Sequence, residues 1–440
     1  MSILQHGLTP KMKPLSPKRS ALIAALDVGT SKVACLIARL KPNPRRDILR
    51  RRTHSIEVLG FGHTSARGMK AGAVIDLTAA EAAIRQAVDL AERAAQLQLE
   101  AVVVSVSAGR PASELISASI DVAGAAVSDG DIARVLSAGS RHSACPGRAV
   151  LHSLPIGYAL DDAKCIRDPR GMLGRRFGID MQVASVDVFV VRNLMLAVER
   201  CHLAVEALVA GPYVAGLSAL ADDEADLGAA VIDMGAGTTG IAVFAGGRFV
   251  HVDGFTLGGR HVTTDLARGL NASLADAERI KTLYGSVLAG GADERDMITI
   301  PPVGHDERET PQFVPRSAVI GIIKPRVEEI LEMVRDKLAA SPFAAEPSGH
   351  VILTGGASQL SGLADLAGRI LNRPVRIGRS LGVSGLPEEA KGPAFATATG
   401  LLVYPQVAYL EHFERRRTRS ATRGTGSYIA RVGRWLRESF

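Results

Sequence analysis

Residues 228–245 read Gly-Ala-Ala-Val-Ile-Asp-Met-Gly-Ala-Gly-Thr-Thr-Gly-Ile-Ala-Val-Phe-Ala, and they contain the most informative structural pattern in the chain. A short apolar run ends at Asp233, a glycine-rich turn follows, and a second apolar run begins at Ile241. The pattern predicts two strands joined by a tight turn. Gly235 and Gly237 place no side chains over that turn, so a row of backbone N–H groups can close around an anion such as a phosphate.

The side chains of the same turn also suit a nucleotide phosphate. Thr238 and Thr239 add hydroxyl donors, and Asp233 stands at the strand end, where a carboxylate can hold a hydrated Mg²⁺. Turns of this kind also join ordinary β-hairpins, so one copy alone is a weak signal.

A second copy of the turn lies near the N-terminus. In residues 22–37 an apolar run again ends at an aspartate, Asp27, turns through Gly29, Thr30 and Ser31, and leaves as an apolar run. Two copies of one hairpin, far apart in the chain, predict a duplicated domain whose halves face each other across a cleft.

The rest of the chain repeats around these two turns. Each turn begins a predicted unit with the order β-β-β-α-β-α-β-α. Residues 110–187 and 257–316 interrupt the two units, and the last strand of the first interruption is predicted at 181–191, before a helix at 192–202. The sequence therefore predicts an α/β protein with two inserted subdomains.

Composition agrees with that class. The chain has 440 residues, of which 47% are hydrophobic and only 4% aromatic, as is usual for proteins with covered sheets. No apolar run is long enough to span a membrane. The four cysteines have no metal-like spacing, which fits a reduced cytoplasm. The basic, proline-containing residues 1–20 are predicted to form a disordered extension.

The net charge of +7 suggests nucleic acid as one possible binding partner. The excess lies in Arg45–Arg52, in the arginines of 415–423, and in the last helix. Basic tails contact membranes as well as nucleic acids, so charge alone does not choose between them.

Two further motifs are candidates for binding adenosine. A predicted strand ends in Gly355-Gly356, followed by Ser358, where the backbone can approach a base or a ribose closely. Glu278 and Lys281 lie on one face of a predicted helix. A glycine pair in a strand–helix turn and a helical Glu–Lys pair are also common in proteins without nucleotides.

The C-terminal residues 426–440 predict an amphipathic helix, since at about 100° per residue the apolar and basic side chains separate onto opposite faces. The apolar face holds Tyr428, Ile429, Val432, Trp435, Leu436 and Phe440. The opposite face holds Arg431, Arg434, Arg437 and Glu438. Such a helix can dock on its own domain, but a predicted flexible basic linker at 406–425 favours binding to an anionic membrane surface.

These motifs, in this order, resemble those of the actin/Hsp70/sugar-kinase ATPase superfamily. Within it, residues 21–440 are similar to the FtsA family of bacterial cell-division proteins. Family-like stretches are Ser65–Met69, Asp168–Gly174, Ala197–Cys201, Gly258–Thr263 and Ser273–Lys281. The resemblance implies an actin-like ATPase fold with two duplicated RNase H-like units around a nucleotide cleft. It implies subdomain 1A at 21–109, 188–213 and 381–405, 1C at 110–187, 2A at 214–256 and 317–380, and 2B at 257–316.

The resemblance also implies a binding site for ATP and Mg²⁺. Phosphate contacts are implied at Gly29, Thr30, Ser31, Gly235, Gly237, Thr238 and Thr239. Adenosine contacts are implied at Glu278, Lys281, Gly355, Gly356 and Ser358. Asp27 and Asp233 would hold Mg²⁺ through water. The family usually has three glycines in the second turn, whereas this chain has Ala236 in the middle, which would alter the turn if a positive φ is needed there.

The function implied by the resemblance is that of a structural ATP-binding protein with at most weak ATPase activity. It would tether FtsZ filaments to the cytoplasmic face of the inner membrane at the division septum, self-associate with nucleotide, and recruit later division proteins. The FtsZ C-terminal tail would bind subdomain 2B, with Arg316 as a contact. No nucleic-acid partner is expected. The alternatives are a sugar or carboxylate kinase of the same superfamily and a pilus-assembly-type actin-like adaptor.

Overall fold

The computed structural model describes residues 9–43, 49, 52–142, 146–166, 168–291, 293–301, 311–346 and 349–411. The predicted membrane helix 426–440, residues 412–425 of the predicted linker and most of Arg45–Arg52 lie outside this part of the chain. Their predicted roles therefore stay predictions. None of the helices in the described ranges is long and apolar enough to cross a lipid bilayer.

The first sheet carries the N-terminal Asp-x-Gly turn. Its strands lie in the order β11 (Ala204–Ala210), β6 (Ala101–Val106), β1 (Ala21–Val28), β2 (Lys32–Pro42), β3 (His54–Ser65) and β19 (Val383–Ser384). Its associated helices are α1 (Leu77–Ala95), α3 (Val188–Glu199), α4 (Gly211–Ala219) and α10 (Ala396–Val403). The central strands are apolar on both faces because helices cover the sheet on both sides.

The second sheet repeats that arrangement. Its order is β14 (Arg248–Phe255), β13 (Thr239–Ala245), β12 (Ala229–Met234), β17 (His350–Thr354) and β18 (Val375–Ile377). The helices α5 (Asp222–Leu227), α8 (Arg316–Ala339) and α9 (Leu363–Leu371) accompany it. In each sheet the first strand of the unit pairs antiparallel with the second and parallel with the fourth. The predicted duplication is therefore confirmed.

Smaller elements interrupt the two units. Helices α6 (Gly259–Gly269) and α7 (Leu274–Tyr284) precede the hairpin β15 (Met297–Ile300) and β16 (Gln312–Pro315) in the second unit. A short hairpin, β4 (Met69–Lys70) and β5 (Ala73–Val74), lies between β3 and α1 in the first.

The insertion between β6 and α3 forms a sheet of its own. It contains β7 (Ala112–Asp121), α2 (Asp129–His142), β8 (Arg148–Leu160), β9 (Ala163–Ile166) and β10 (Arg176–Asp187), with the strand order β7-β10-β8-β9. The predicted strand 181–191 is too long at its end. Asp187 accepts a hydrogen bond from the Phe189 N–H at 2.8 Å, and this N-cap starts α3 at Val188.

Parts of the predicted disordered extension and of the predicted flexible linker are packed against the rest of the protein, namely residues 9–12 and 406–411. Thr9 Oγ1 donates to the Val150 carbonyl at 2.7 Å, and Lys11 forms an ion pair with the buried Glu411. Glu411 also accepts hydrogen bonds from His152 at 2.8 Å and Tyr404 at 3.0 Å. The prediction of disorder for residues 9–12 and the prediction of a flexible linker for residues 406–411 are therefore wrong, because a buried carboxylate joins the two segments. The subdomain boundaries stay predictions.

Candidate functional site

The two Asp-x-Gly turns face one cleft of about 1000 Å³. Each turn is closed by the same backbone hydrogen bond: the Gly29 N–H donates to the Lys32 carbonyl, and the Gly235 N–H to the Thr238 carbonyl, both at 2.9 Å. The likeness of the two turns thus extends from sequence to hydrogen bonding. The carboxyl ends of β1 and β12 place both turns at the cleft.

The turns also touch each other across the cleft. A Cβ added to Gly237 would lie 2.5 Å from Thr30 Oγ1, so a larger residue would force the turns apart. The same Thr30 hydroxyl accepts a hydrogen bond from the Gly72 N–H at 2.8 Å, in the short β4–β5 hairpin. Gly237 is therefore required by the close approach of the two units.

Most of the predicted nucleotide contacts line this cleft. Those that do are Asp27, Gly29, Thr30, Ser31, Asp233, Gly235, Gly237, Thr238, Glu278, Lys281, Gly355 and Gly356. Thr239 and Ser358 are buried behind the wall instead. The Thr239 hydroxyl donates to the Leu257 carbonyl at 2.8 Å, and the Ser358 hydroxyl to the Gly355 carbonyl at 2.7 Å. These two side chains therefore bond to the backbone of the cleft wall and do not face the cleft.

Asp27 is buried and Asp233 is half-buried, and the pKa of each carboxyl group is raised. Ser105 donates a hydrogen bond to Asp27, and Thr397 donates one to Asp233 at 3.0 Å. Burial raises the pKa of Asp27. Burial, and then the charge of Asp27, raise the pKa of Asp233 to about 6. Two carboxylates that disfavour ionisation at one cleft form a site that a cation would stabilise.

Lys32 belongs to this site, although it was not among the predicted residues. It lines the cleft, donates to the Ala394 carbonyl, and lies with Nζ 3.8 Å from the centre of the Phe395 ring. Burial lowers the pKa of Lys32, and the charges of Asp27 and Asp233 oppose that shift. The available signal was a lysine directly after the first phosphate turn.

The predicted adenosine residues meet at the other end of the cleft. Lys281 donates to Glu278 at 2.7 Å and to Thr263 at 2.9 Å, and Thr263 also donates to Glu278. This network joins α6 to α7. Apolar side chains of Leu274, Val327 and Ile330 line the same end, which suits a flat base.

The first glycine of the pair in this wall, Gly355, has a steric cause, whereas a Cβ added to Gly356 would meet no atom within 4 Å. Gly355 has a φ of +83°, and an added Cβ would lie 2.4 Å from the Met234 carbonyl oxygen. Any larger residue there would collide with the second phosphate turn.

Ala236 does not alter the second turn in the expected way. Its φ is not positive, so the alanine carries no backbone strain. Its carbonyl accepts a hydrogen bond from the Arg260 N–H at 2.8 Å, which joins the turn to α6. Gly258 has no room for a side chain, since an added Cβ would lie 2.4 Å from the Gly235 oxygen.

Arg316 lies at the start of α8, where it lines the cleft and holds its neighbours. Its Nε donates to the Tyr284 carbonyl at 3.0 Å, and its Nη1 to the buried Asp293 at 3.1 Å. The nearby β15–β16 hairpin exposes Met297 and Phe313 on its outer face. Arg316 therefore supports the region that presents this apolar surface.

Comparison with known proteins finds relatives along the whole chain. A family model described as "Cell division protein FtsA" matches residues 230–400, and one described as "SHS2 domain inserted in FTSA" matches residues 108–185. The cell division protein FtsA of Agrobacterium fabrum is 53% identical over 436 residues, covering 99% of this chain and 98% of that protein. The FtsA of Escherichia coli is 30% identical over 426 residues, covering 95% and 98%.

Solved structures share the fold at low sequence identity. The match to the PilM-PilN type IV pilus biogenesis complex has a TM-score of 0.59 and 19% identity, covering 87% of this chain and 98% of that one. The match to MreB5 of Spiroplasma citri bound to ADP has a TM-score of 0.52 and 13% identity, covering 89% and 98%. The predicted actin-like ATPase fold is confirmed. With full-length relatives at this identity, the chain belongs to the FtsA family of cell division proteins.

Proposed function

We propose that this chain binds ATP with Mg²⁺ and tethers FtsZ filaments to the cytoplasmic face of the inner membrane at the division septum. The observation that carries the nucleotide part is the pair of equivalent Asp-x-Gly turns at one cleft, with the buried Asp27 beside the first and the half-buried Asp233 beside the second. The family supplies the cell-division role.

The cleft residues fit a hydrated Mg²⁺. Mg²⁺ prefers oxygen ligands, keeps several waters, and is usually bound by one or two carboxylates together with phosphates. Asp27 and Asp233 offer those oxygens, and burial raises the pKa of both carboxyl groups although the charge of Lys32 lies close to them. In the described residues no larger cluster of His, Cys, Asp or Glu competes for a metal. Bound Mg²⁺ would neutralise phosphate and carboxylate charge.

The nucleotide acts in this proposal as a conformational ligand. Nucleotide bridging the two units favours the closed cleft in proportion to its preference for that state, and closure promotes self-association. Asp27 and Asp233 are assigned to the hydrated Mg²⁺ and no residue is assigned to activate water, so at most weak ATPase activity is expected.

The FtsZ C-terminal tail binds, in this proposal, at the second insertion. Ile298, Ile300 and Val314 of the β15–β16 hairpin point inward, while Met297 and Phe313 remain exposed on the outer face. An exposed apolar face of this kind suits an extended or helical peptide with apolar anchors. Arg316 contributes by fixing the hairpin's base, and later division proteins bind elsewhere on the body.

The membrane part rests on the sequence of residues 426–440. Its apolar face would enter the lipid boundary, and each arginine near an anionic surface contributes about 1 kcal/mol. A small-molecule kinase would have no use for such a tail, and the similarity to the pilus complex extends only to the fold.

Co-sedimentation with anionic liposomes tests the tether. The full chain should pellet with the liposomes and carry FtsZ with it, whereas a chain truncated before Gly426 should stay in the supernatant. Trp435→Glu should behave like the truncation because it places a charge on the apolar face, and Glu438→Gln, on the polar face, is the matched control. Equal pelleting of the full and truncated chains would overturn the proposed anchor.

A further inference from the structure

The N-terminus of α6 is attached to the second phosphate turn. The Gly259 N–H donates to the Gly235 carbonyl at 3.0 Å, and the Arg260 N–H to the Ala236 carbonyl at 2.8 Å. The absence of a side chain at Gly258 allows this close approach. The backbone of Arg260 is thus fixed directly against the turn that faces the phosphate end of the cleft.

The side chain of Arg260 is exposed and lines the cleft. It is the second residue of α6, and side chains on a helix lean toward the helix N-terminus. Here that direction leads back toward Gly235–Thr238. An arginine at this position can reach a phosphate group that extends beyond the turn.

The other cationic side chains of the cleft are already engaged. Lys32 donates to the Ala394 carbonyl and lies over Phe395, and Lys281 pairs with Glu278. Arg316 pairs with Asp293. Across the described part of the chain, the Arg260 side chain has neither a carboxylate partner nor a ring contact, so its guanidinium is available to a ligand.

We propose that Arg260 binds the terminal phosphate of the nucleotide and makes the cleft prefer a triphosphate to a diphosphate. This inference rests on the proposed function, because it requires nucleotide in the cleft. The backbone N–H groups of the two turns surround the phosphates nearest to them. A guanidinium at the mouth adds two parallel, charge-assisted hydrogen bonds to a phosphate that only the triphosphate carries.

Isothermal titration of the full chain with Mg²⁺–AMPPNP and with Mg²⁺–ADP tests the inference. Arg260→Ala should weaken AMPPNP binding by about 10-fold or more, the loss expected for a hydrogen bond to a charged group. ADP affinity should stay within about twofold of the unchanged chain, since that contact is absent from the ADP complex. Arg260→Lys should recover part of the AMPPNP affinity, because it keeps the charge without the planar pair of donors.

Arg268→Ala is the matched control, because it removes an exposed arginine at the other end of the same helix. It should leave both affinities unchanged. Suppose that the unchanged chain binds both nucleotides. If Arg260→Ala then lowers the affinities for AMPPNP and ADP equally, or lowers neither affinity, the inference is overturned while the proposed nucleotide site stands. If the unchanged chain binds neither nucleotide, the nucleotide part of the proposed function fails together with it.

Discussion

At the scale of single residues, Asp233 makes stability and ion binding depend on pH. Its pKa is raised to about 6 in the folded protein from an ordinary 3.8. Between these values the folded chain holds a proton that the unfolded chain releases, so the contribution to stability falls as pH rises through this window. At pH 7.5, Asp233→Asn should therefore raise the free energy of unfolding of the ligand-free protein by about 1–3 kcal/mol. Urea unfolding measures the gain.

The pH dependence of the same substitution distinguishes an effect of the Asp233 charge on stability from an effect of side-chain packing. The stabilisation should shrink toward pH 4, where Asp233 is itself protonated, and Mg²⁺ should no longer stabilise the variant at pH 7.5. An equal gain at both pH values would show that ionisation of the carboxylate is not its cause.

At the scale of elements, residues 9–12 and the last short helical turn, Ala408–Glu411, are held by one charge cluster. Burial raises the pKa of Glu411, but Lys11 and His152 outweigh it and hold the pKa at about 2. The stability from this depressed pKa is complete above about pH 4.5 and is lost as pH falls toward 2. Lys11→Met leaves a buried carboxylate short of one partner and should cost about 1–3 kcal/mol at pH 7 in urea unfolding.

Lys13→Met is the control for that loss, because Lys13 is an exposed lysine in the same segment. It should change the free energy of unfolding by less than about 0.5 kcal/mol. A similar loss in both variants would mean that the segment responds to charge in general and not to the pair with Glu411.

At the scale of the whole molecule, the features predicted from the sequence are those that short-range patterns encode. The turns after Asp27 and Asp233 are recognisable from the apolar runs and glycines around them. Because the pattern occurs twice, it predicted the duplicated fold. The structural features that the sequence did not predict depend on contacts between residues that are distant in the chain. Lys11 and Glu411 lie 400 positions apart, and composition alone indicated disorder for the first segment and a flexible linker for the second. The Thr239 hydroxyl is likewise bonded to the carbonyl of Leu257, 18 positions further along the chain, and therefore does not face the cleft.

The exposed face of the β15–β16 hairpin is tested by the last prediction, since the proposed tether requires this face to bind FtsZ while the tail binds the membrane. Phe313 is 61% exposed, and its cross-strand partner is Thr299. If Phe313 anchors the FtsZ tail, Phe313→Ser should weaken binding of a labelled FtsZ tail peptide by about 10-fold or more in fluorescence anisotropy. Leu115→Ser is the control, because Leu115 is 64% exposed on the first insertion and should not affect the peptide. Equal losses in both variants, or none for Phe313→Ser, would place the FtsZ tail on another surface.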